Sequence, residues 1–397
     1  MRRPVTVAAS VSLSPLASPL PWPLQFGPLV RWVLLGTLVA ATAGCGQPGE
    51  QGFSSTLEIP ANPGDGYSLV RVADSEHMIE HIAVTGDYLF FSMFWHGVYA
   101  MPRYGGDVTP VDTDTSAEDI ALAASPSDVV WIKARFDAND IPNEQLRRRA
   151  ASGAPITNLK QGNLHAFSSS LAENLQVTAT QVMFLGEGFV EATPLAGGAS
   201  TRVTFPWSED PTVNGAISFQ ADDSGMFLLT CPIGPLCRTD CGAAPGCTLS
   251  QGDPLTGQSS ALGAEPAGTT AVALDEQALY LTDGRRLWMR SRVDGTEVEL
   301  FAAAPEGGLL TAPLAADADH LYIVAYGAPA GGAPAVSLLA MPKTPGAPAT
   351  IGTDSRLAHG VWDMTVDDQF VFVLAAGGSN DLGNEVLAFP KTPLPSP

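Results

Sequence analysis

Ile82-Ala83-Val84-Thr85-Gly86-Asp87-Tyr88-Leu89-Phe90 opens on a short alternating apolar run, crosses a polar turn and ends on an apolar residue followed by an aromatic one. Alternation over so few residues is the period of a half-buried strand, and Thr-Gly-Asp is turn chemistry, so the stretch reads as strand, tight turn, strand. The terminal pair recurs at Val130-Trp131, Met183-Phe184, Met226-Phe227, Leu279-Tyr280, Leu321-Tyr322 and Val371-Phe372, with the aromatics 41, 53, 43, 53, 42 and 50 residues apart. Several of these pairs follow an alternating run of their own, as at Ile120-Ala-Leu122, Val272-Ala-Leu274 and Met364-Thr-Val366.

Downstream of the pair comes a third strand that often ends in Pro: Val98-Tyr-Ala-Met-Pro102, Leu338-Leu-Ala-Met-Pro342 and Val386-Leu-Ala-Phe-Pro390. A fourth follows, as at 107–111 and 297–301. Four short strands repeated at about 40–45 residues plus variable loops is the signature of a propeller blade. The expected fold is therefore all-β, a single β-propeller of seven four-stranded blades. The last unit stops after its third strand, while Tyr67–Ala73 precedes the first unit and reads as a spare fourth strand. Pairing the two closes the ring with one strand from each end and leaves no exposed sheet edge.

Tyr280-Leu-Thr-Asp283 and the following Arg290-Ser-Arg-Val-Asp-Gly-Thr296 resemble the Tyr-Trp-Thr-Asp repeat of low-density-lipoprotein-receptor-like propellers. The resemblance covers one blade closely and the others in pattern only. It implies a non-enzymatic binding role.

The formal net charge of −21 excludes nucleic acid and an anionic membrane surface as partners, because phosphate recognition needs Lys and Arg. At the N-terminus Arg31 precedes an apolar run over 32–43, shorter than the roughly 20 residues a membrane span needs but suited to a signal-peptide core. Small residues before Cys45 resemble the lipobox of bacterial lipoproteins, which implies cleavage after Gly44 and diacylation of Cys45; a plain secretory signal is the alternative. The expected division is a signal region over 1–44, with its core at about 30–44, a lipid-anchored linker over 45–60 and the propeller over 61–397. The Pro-rich residues 1–29 fit no signal and suggest a start codon set too far upstream.

Within each blade the turns after the first and third strands are short, whereas the connections between second and third strands vary, with long ones read at 133–144, 231–247, 325–336 and 375–385. Variable loops on a rigid scaffold are where binding resides, so that face is the expected working face. Candidate binding residues there are Trp95, His96, Trp207 and Trp362, together with Asp140, Glu144, Asp381 and Glu385 from two similar strings, Asn139-Asp-Ile-Pro-Asn-Glu144 and Asn380-Asp-Leu-Gly-Asn-Glu385. These strings offer oxygen ligands for Ca²⁺, but Asx-rich turns account for them equally, and no cofactor or metal is assigned. Cys231, Cys237, Cys241 and Cys247 in an exported chain read as two disulfides of open connectivity, since their spacing misses the paired C-x₂-C of zinc sites.

His77-Met-Ile-Glu-His81 matches the inverted zinc-peptidase string, yet it sits where a first strand begins and lacks the helix that chemistry requires. No nucleophile elbow or phosphate loop is present and no catalytic residue is assigned. The leading reading is a monomeric envelope lipoprotein, at the outer membrane or cell surface, binding an envelope protein or glycan through the variable face. The alternative is a propeller lyase or hydrolase with its site at the central channel.

Overall fold

The computed structural model describes residues 53–54, 65–72, 78–94, 96–114, 118–136, 142–164, 175–186, 188–205, 215–231, 246–266, 268–302, 309–327, 336–376 and 384–392. Among them the strands group into seven antiparallel sheets. Six are four-stranded blades of consecutive strands, over 79–112, 118–162, 175–204, 215–265, 271–302 and 309–353. The seventh combines Val361–Val366, Phe370–Ala376 and Asn384–Pro390 with Tyr67–Val72 from the other end of the chain. The first strand of each blade lies beside the first strand of the next, all the way round, and Val361–Val366 returns to Ile79–Thr85. The protein is a closed seven-bladed β-propeller.

The expected closure is present. Tyr67 pairs with Ala388 and Arg71 with Glu385, and the short strand Phe53–Ser54 adds outside Tyr67–Val72. Asn384 fastens the same seam from the side: its Oδ1 accepts from the Ile79 amide at 3.0 Å and its Nδ2 donates to the Ile79 carbonyl at 2.5 Å. A buried side-chain amide here serves backbone groups that no neighbouring strand reaches.

All seven apolar–aromatic pairs lie on second strands, and none of the aromatics is more than 3% exposed. Because alternate residues face opposite sides of a strand, each pair feeds two cores, one on either side of its blade. Leu89 packs with Phe372 of the seventh blade, whereas Phe90 packs with Val129 and Trp131 of the second. Tyr280 packs toward the sixth blade with Leu321, and Tyr322 toward the seventh with Val371.

Two pairs are out of phase with the rest. Val129 pairs with Ala124, and Val182 with Val177, at the positions that Leu89 and Val84 hold in the first blade. Val130-Trp131 and Met183-Phe184 therefore sit one residue later, and their aromatics face the preceding blade. A one-residue slip reverses every side chain, but a strand buried on both faces shows no polar residue to betray it.

A second correction concerns the second blade. Residues 133–144, read as a long loop, are largely strand: Asp128–Phe136 and Pro142–Ala150 pair through to Phe136 and Pro142. The charged residues of the segment alternate along a hairpin that outgrows its neighbours. Lys133 is buried there against Asp112, which also accepts from Trp131 Nε1 at 3.0 Å and from Arg147 at 2.5 Å.

On the face carrying the hairpin turns, a charge clasp links successive blades. An Asp opens the hairpin turn of one blade, and a cation just past the third strand of the next blade reaches it. The pairs are Asp222 with Arg292, Asp275 with Lys343, Asp317 with Lys391 and Asp367 with Arg103. In three of them the cation also lies over the second-strand aromatic, at 4.8 Å for Arg292 on Phe227 and 5.2 Å for Lys343 on Tyr280 and Lys391 on Tyr322. The second and third blades carry Ser125 and Thr178 in place of the Asp, and there the hydroxyl oxygens accept the turn amides instead.

A candidate binding cleft between the fourth and fifth blades

Strand alternation places Arg286, Trp288 and Arg290 on one face of Arg286–Ser291, and Glu297 and Glu299 on the same face of the adjoining Glu297–Ala302. Trp288 stands opposite Glu299, and Arg290 opposite Glu297. That face turns toward the fourth blade, whose outermost strand Ser259–Glu265 ends directly across from it. Between them lies a cleft of about 430 Å³ lined by these five side chains and by Ala264, Glu265 and Pro266.

Arg290 spans the cleft, ion-paired to Glu265 on one side and bonded through Nε to Glu297 at 2.9 Å on the other. Arg286 is held by Asp283 at 2.7 Å, and its guanidinium carbon lies 5.7 Å from the centre of the Trp288 ring. Burial pushes the Glu265 carboxyl up from its ordinary value, and the Arg290 charge only partly offsets it. Oε2 of Glu265 is buried and has no hydrogen-bond donor among the described residues.

Glu265 is the register partner of Cys247, and Cys247 is disulfide-bonded to Cys231. The cleft thus lies beside the Cys231–Cys247 link at its Glu265 end and runs along the strands to Arg290 and Glu297 next to the hairpin turn of the fifth blade. Trp288 and Glu265 lie on strands, so the loop variability that marks candidate binding residues does not mark them. The legible signal was charge at alternate positions of two consecutive strands, Arg286-x-Trp288-x-Arg290 and Glu297-x-Glu299.

The expected site residues fall differently. Trp95, Trp207, Asp140, Asp381, Cys237, Cys241 and Cys45 lie outside the described residues. His96 is half-buried in the first blade's connection, and its carbonyl accepts from the Tyr99 hydroxyl at 3.1 Å. Trp362, read as a loop aromatic, lies within the first strand Val361–Val366 and packs against the core between the seventh and first blades. It occupies the bulged position between Val361 and Asp363, an irregularity that composition does not reveal.

Glu144 and Glu385 hold equivalent places, opposite Ala134 and Ala375. Glu144 is fully buried and accepts from the Leu164 amide at 2.6 Å, while Glu385 accepts from Arg356 at 2.7 Å. Arg356 further ties Asp354 and the Gly66 carbonyl, so this cluster fastens the connection before the seventh blade to the closing strand. Among the described residues no three His, Cys, Asp or Glu side chains gather as a metal site. Glu80 and His81 lie in the strand Ile79–Thr85, as expected, and His77 lies outside the described residues. No helix among the described residues is long and apolar enough to cross a membrane.

No family model and no curated protein matches the chain. Solved propellers do match in fold. A structure of YCF48 bound to D1 peptide has a TM-score of 0.53 at 9% identity, covering 86% of this chain and 100% of that one. The β-propeller domain of the Trilobed protease from Pyrococcus furiosus, reported to have an open velcro topology, gives 0.52 at 9% identity, covering 80% and 95%. PorZ, a bacterial surface component of the type-IX secretion system of Porphyromonas gingivalis, gives 0.48 at 10% identity over 86% of this chain, which spans only 39% of that protein. At these identities the likeness is one of fold.

Proposed function

We propose that the protein is a binding module of the bacterial cell envelope, tethered through a lipid on Cys45 and engaging its partner at the cleft between the fourth and fifth blades. The observation that carries this reading is the meeting of Trp288, two Arg and three Glu from two blades beside the Cys231–Cys247 link. Aromatic and Arg side chains at a rigid, partly desolvated edge are what binding hot spots are made of. The propeller supports the reading by holding the cleft walls on strands rather than on loops. The peptide-bound state of YCF48 supports a protein partner in the same general way.

The sequence before the propeller supports export and anchoring. Labelling with radioactive palmitate in a bacterial host should mark the wild type and not Cys45→Ser; equal labelling overturns the anchor. For the cleft, a photo-crosslinking residue at position 264 of the full chain, where the exposed Ala264 lines the cleft, should capture one envelope protein, and Arg290→Glu should abolish the adduct. An adduct unaffected by Arg290→Glu overturns the choice of cleft.

A further inference from the structure

Three carboxylates, Glu265, Glu297 and Glu299, line the cleft against two guanidinium groups, those of Arg286 and Arg290, and Arg286 is further paired with Asp283. The balance is negative although both cations lie inside. Glu299 is exposed and feels the Arg286 charge, but neither an ion pair nor a hydrogen bond holds it among the described residues. Glu265 is 3% exposed, and its Oε2 lacks a donor although Oε1 faces Arg290. A buried carboxylate oxygen without a donor costs free energy until something supplies one. The remaining walls, Ala264, Pro266 and the Trp288 ring, are apolar.

These features describe a receptor for a cation on an apolar stem. A lysine ammonium brings three donors and no acceptor, and its four-carbon stem packs along apolar surface while the head stays charged. The Arg286 guanidinium beside the Trp288 ring shows that this aromatic accommodates a cation. A neutral sugar matches less well, because its hydroxyls leave the excess negative charge uncompensated.

We propose that this cleft is a docking site for a basic side chain, lysine or arginine, presented by a protein partner. The proposal rests on the binding reading above and adds the chemistry that the site selects. Net negative charge around the cleft also speeds encounter with a basic surface.

The test follows the Trp288 indole N–H by NMR in the full chain, with the signal assigned through Trp288→Phe. The probes are acetyl-Gly-Lys-Gly-amide, the same peptide acetylated on lysine, and glucose. The expected result is a saturable shift with the lysine peptide alone, weakened about tenfold in Glu299→Gln, as for loss of one charged hydrogen bond. Glu297→Gln provides a second variant, and unchanged signals from the other indoles show that each variant is folded. Equal shifts with the acetylated peptide, or none with the lysine peptide, overturn the proposal. A shift with glucose alone overturns it too but leaves the cleft a binding site. Loss of the position-264 adduct in Arg290→Glu without any lysine-dependent shift likewise separates failure of this inference from failure of the binding reading.

Discussion

Lys343 Nζ of the sixth blade lies 2.6 Å from Oδ2 of Asp275 in the fifth, and the same carboxylate oxygen accepts from the Tyr280 hydroxyl at 2.7 Å. Burial alone would raise the Asp275 carboxyl, but the bonds from Lys343, Tyr280 and two backbone amides hold it below the usual carboxylate range. Burial and the neighbouring Asp275 charge keep Tyr280 un-ionised far into the alkaline range. Lys343→Met keeps the stem and removes the charge, and it should cost about 1 kcal/mol in chemical denaturation, the sum expected of one partly buried pair and one cation–π contact. A double-mutant cycle with Asp275→Asn should show coupling between the two. Because the carboxyl is depressed, the contribution is present above its ordinary value and fades as pH falls, so the cost should shrink toward pH 3.

Asp363 carries the opposite sign. Its two oxygens accept from the amides of Ile82 at 2.9 Å and Met364 at 2.7 Å, which joins the seventh blade to the first. Burial pushes its carboxyl up to about 7, and the two amides offset that only in part. The folded state then holds a proton that the unfolded state releases at about 4. Stability from this residue is full below pH 4 and falls as pH rises through about 7. Asp363→Asn should flatten the dependence between pH 4 and 7 while lowering stability overall, because one backbone amide loses its acceptor. Denaturant midpoints measured at pH 5 and 7.5 in both proteins check this.

The Cys231–Cys247 disulfide closes a loop of 16 residues in sequence separation. Loop-closure entropy gives such a link about 3 kcal/mol. Non-reducing peptide mapping should recover Cys231 joined to Cys247, and Cys231→Ser with Cys247→Ser should lower the melting temperature by several degrees. Because Cys247 is the register partner of Glu265, the double variant should also broaden or move the Trp288 indole signal.

Asn384 makes both of its seam bonds to Ile79 at a site 2% exposed. Asn384→Ala should leave two buried backbone groups unpaired and cost about 2–4 kcal/mol. Hydrogen exchange should rise first in Ile79–Thr85 and Asn384–Pro390, the strands the side chain joins. Uniform loss of protection across all blades would argue against a local seam.

The repeat, the blade number and the closing strand were legible because each rests on local pattern. Leu89-Phe90 and its counterparts mark second strands wherever both faces of a strand are buried, and Tyr67–Val72 is apolar enough to need a partner. What escaped is what periodicity does not encode. Val130-Trp131 looks like Leu89-Phe90, yet its register is shifted by one, since an apolar residue satisfies either face. Trp362 looked like a loop aromatic because a bulge leaves no compositional mark.

The candidate cleft divides in the same way. The sequence by itself determined that Arg286, Trp288 and Arg290 share a face, and that Glu297 and Glu299 share one on the following strand, because the two-residue period of a strand requires it. Only the tertiary structure decided that Glu265 stands across from them and that Cys247 lies beside it. That placement depends on the angle and spacing at which two blades pack, which is set by the volumes of Phe227, Leu249, Leu281 and Trp288 in the core they share. No residue-by-residue pattern records how such side chains fill the space between two sheets.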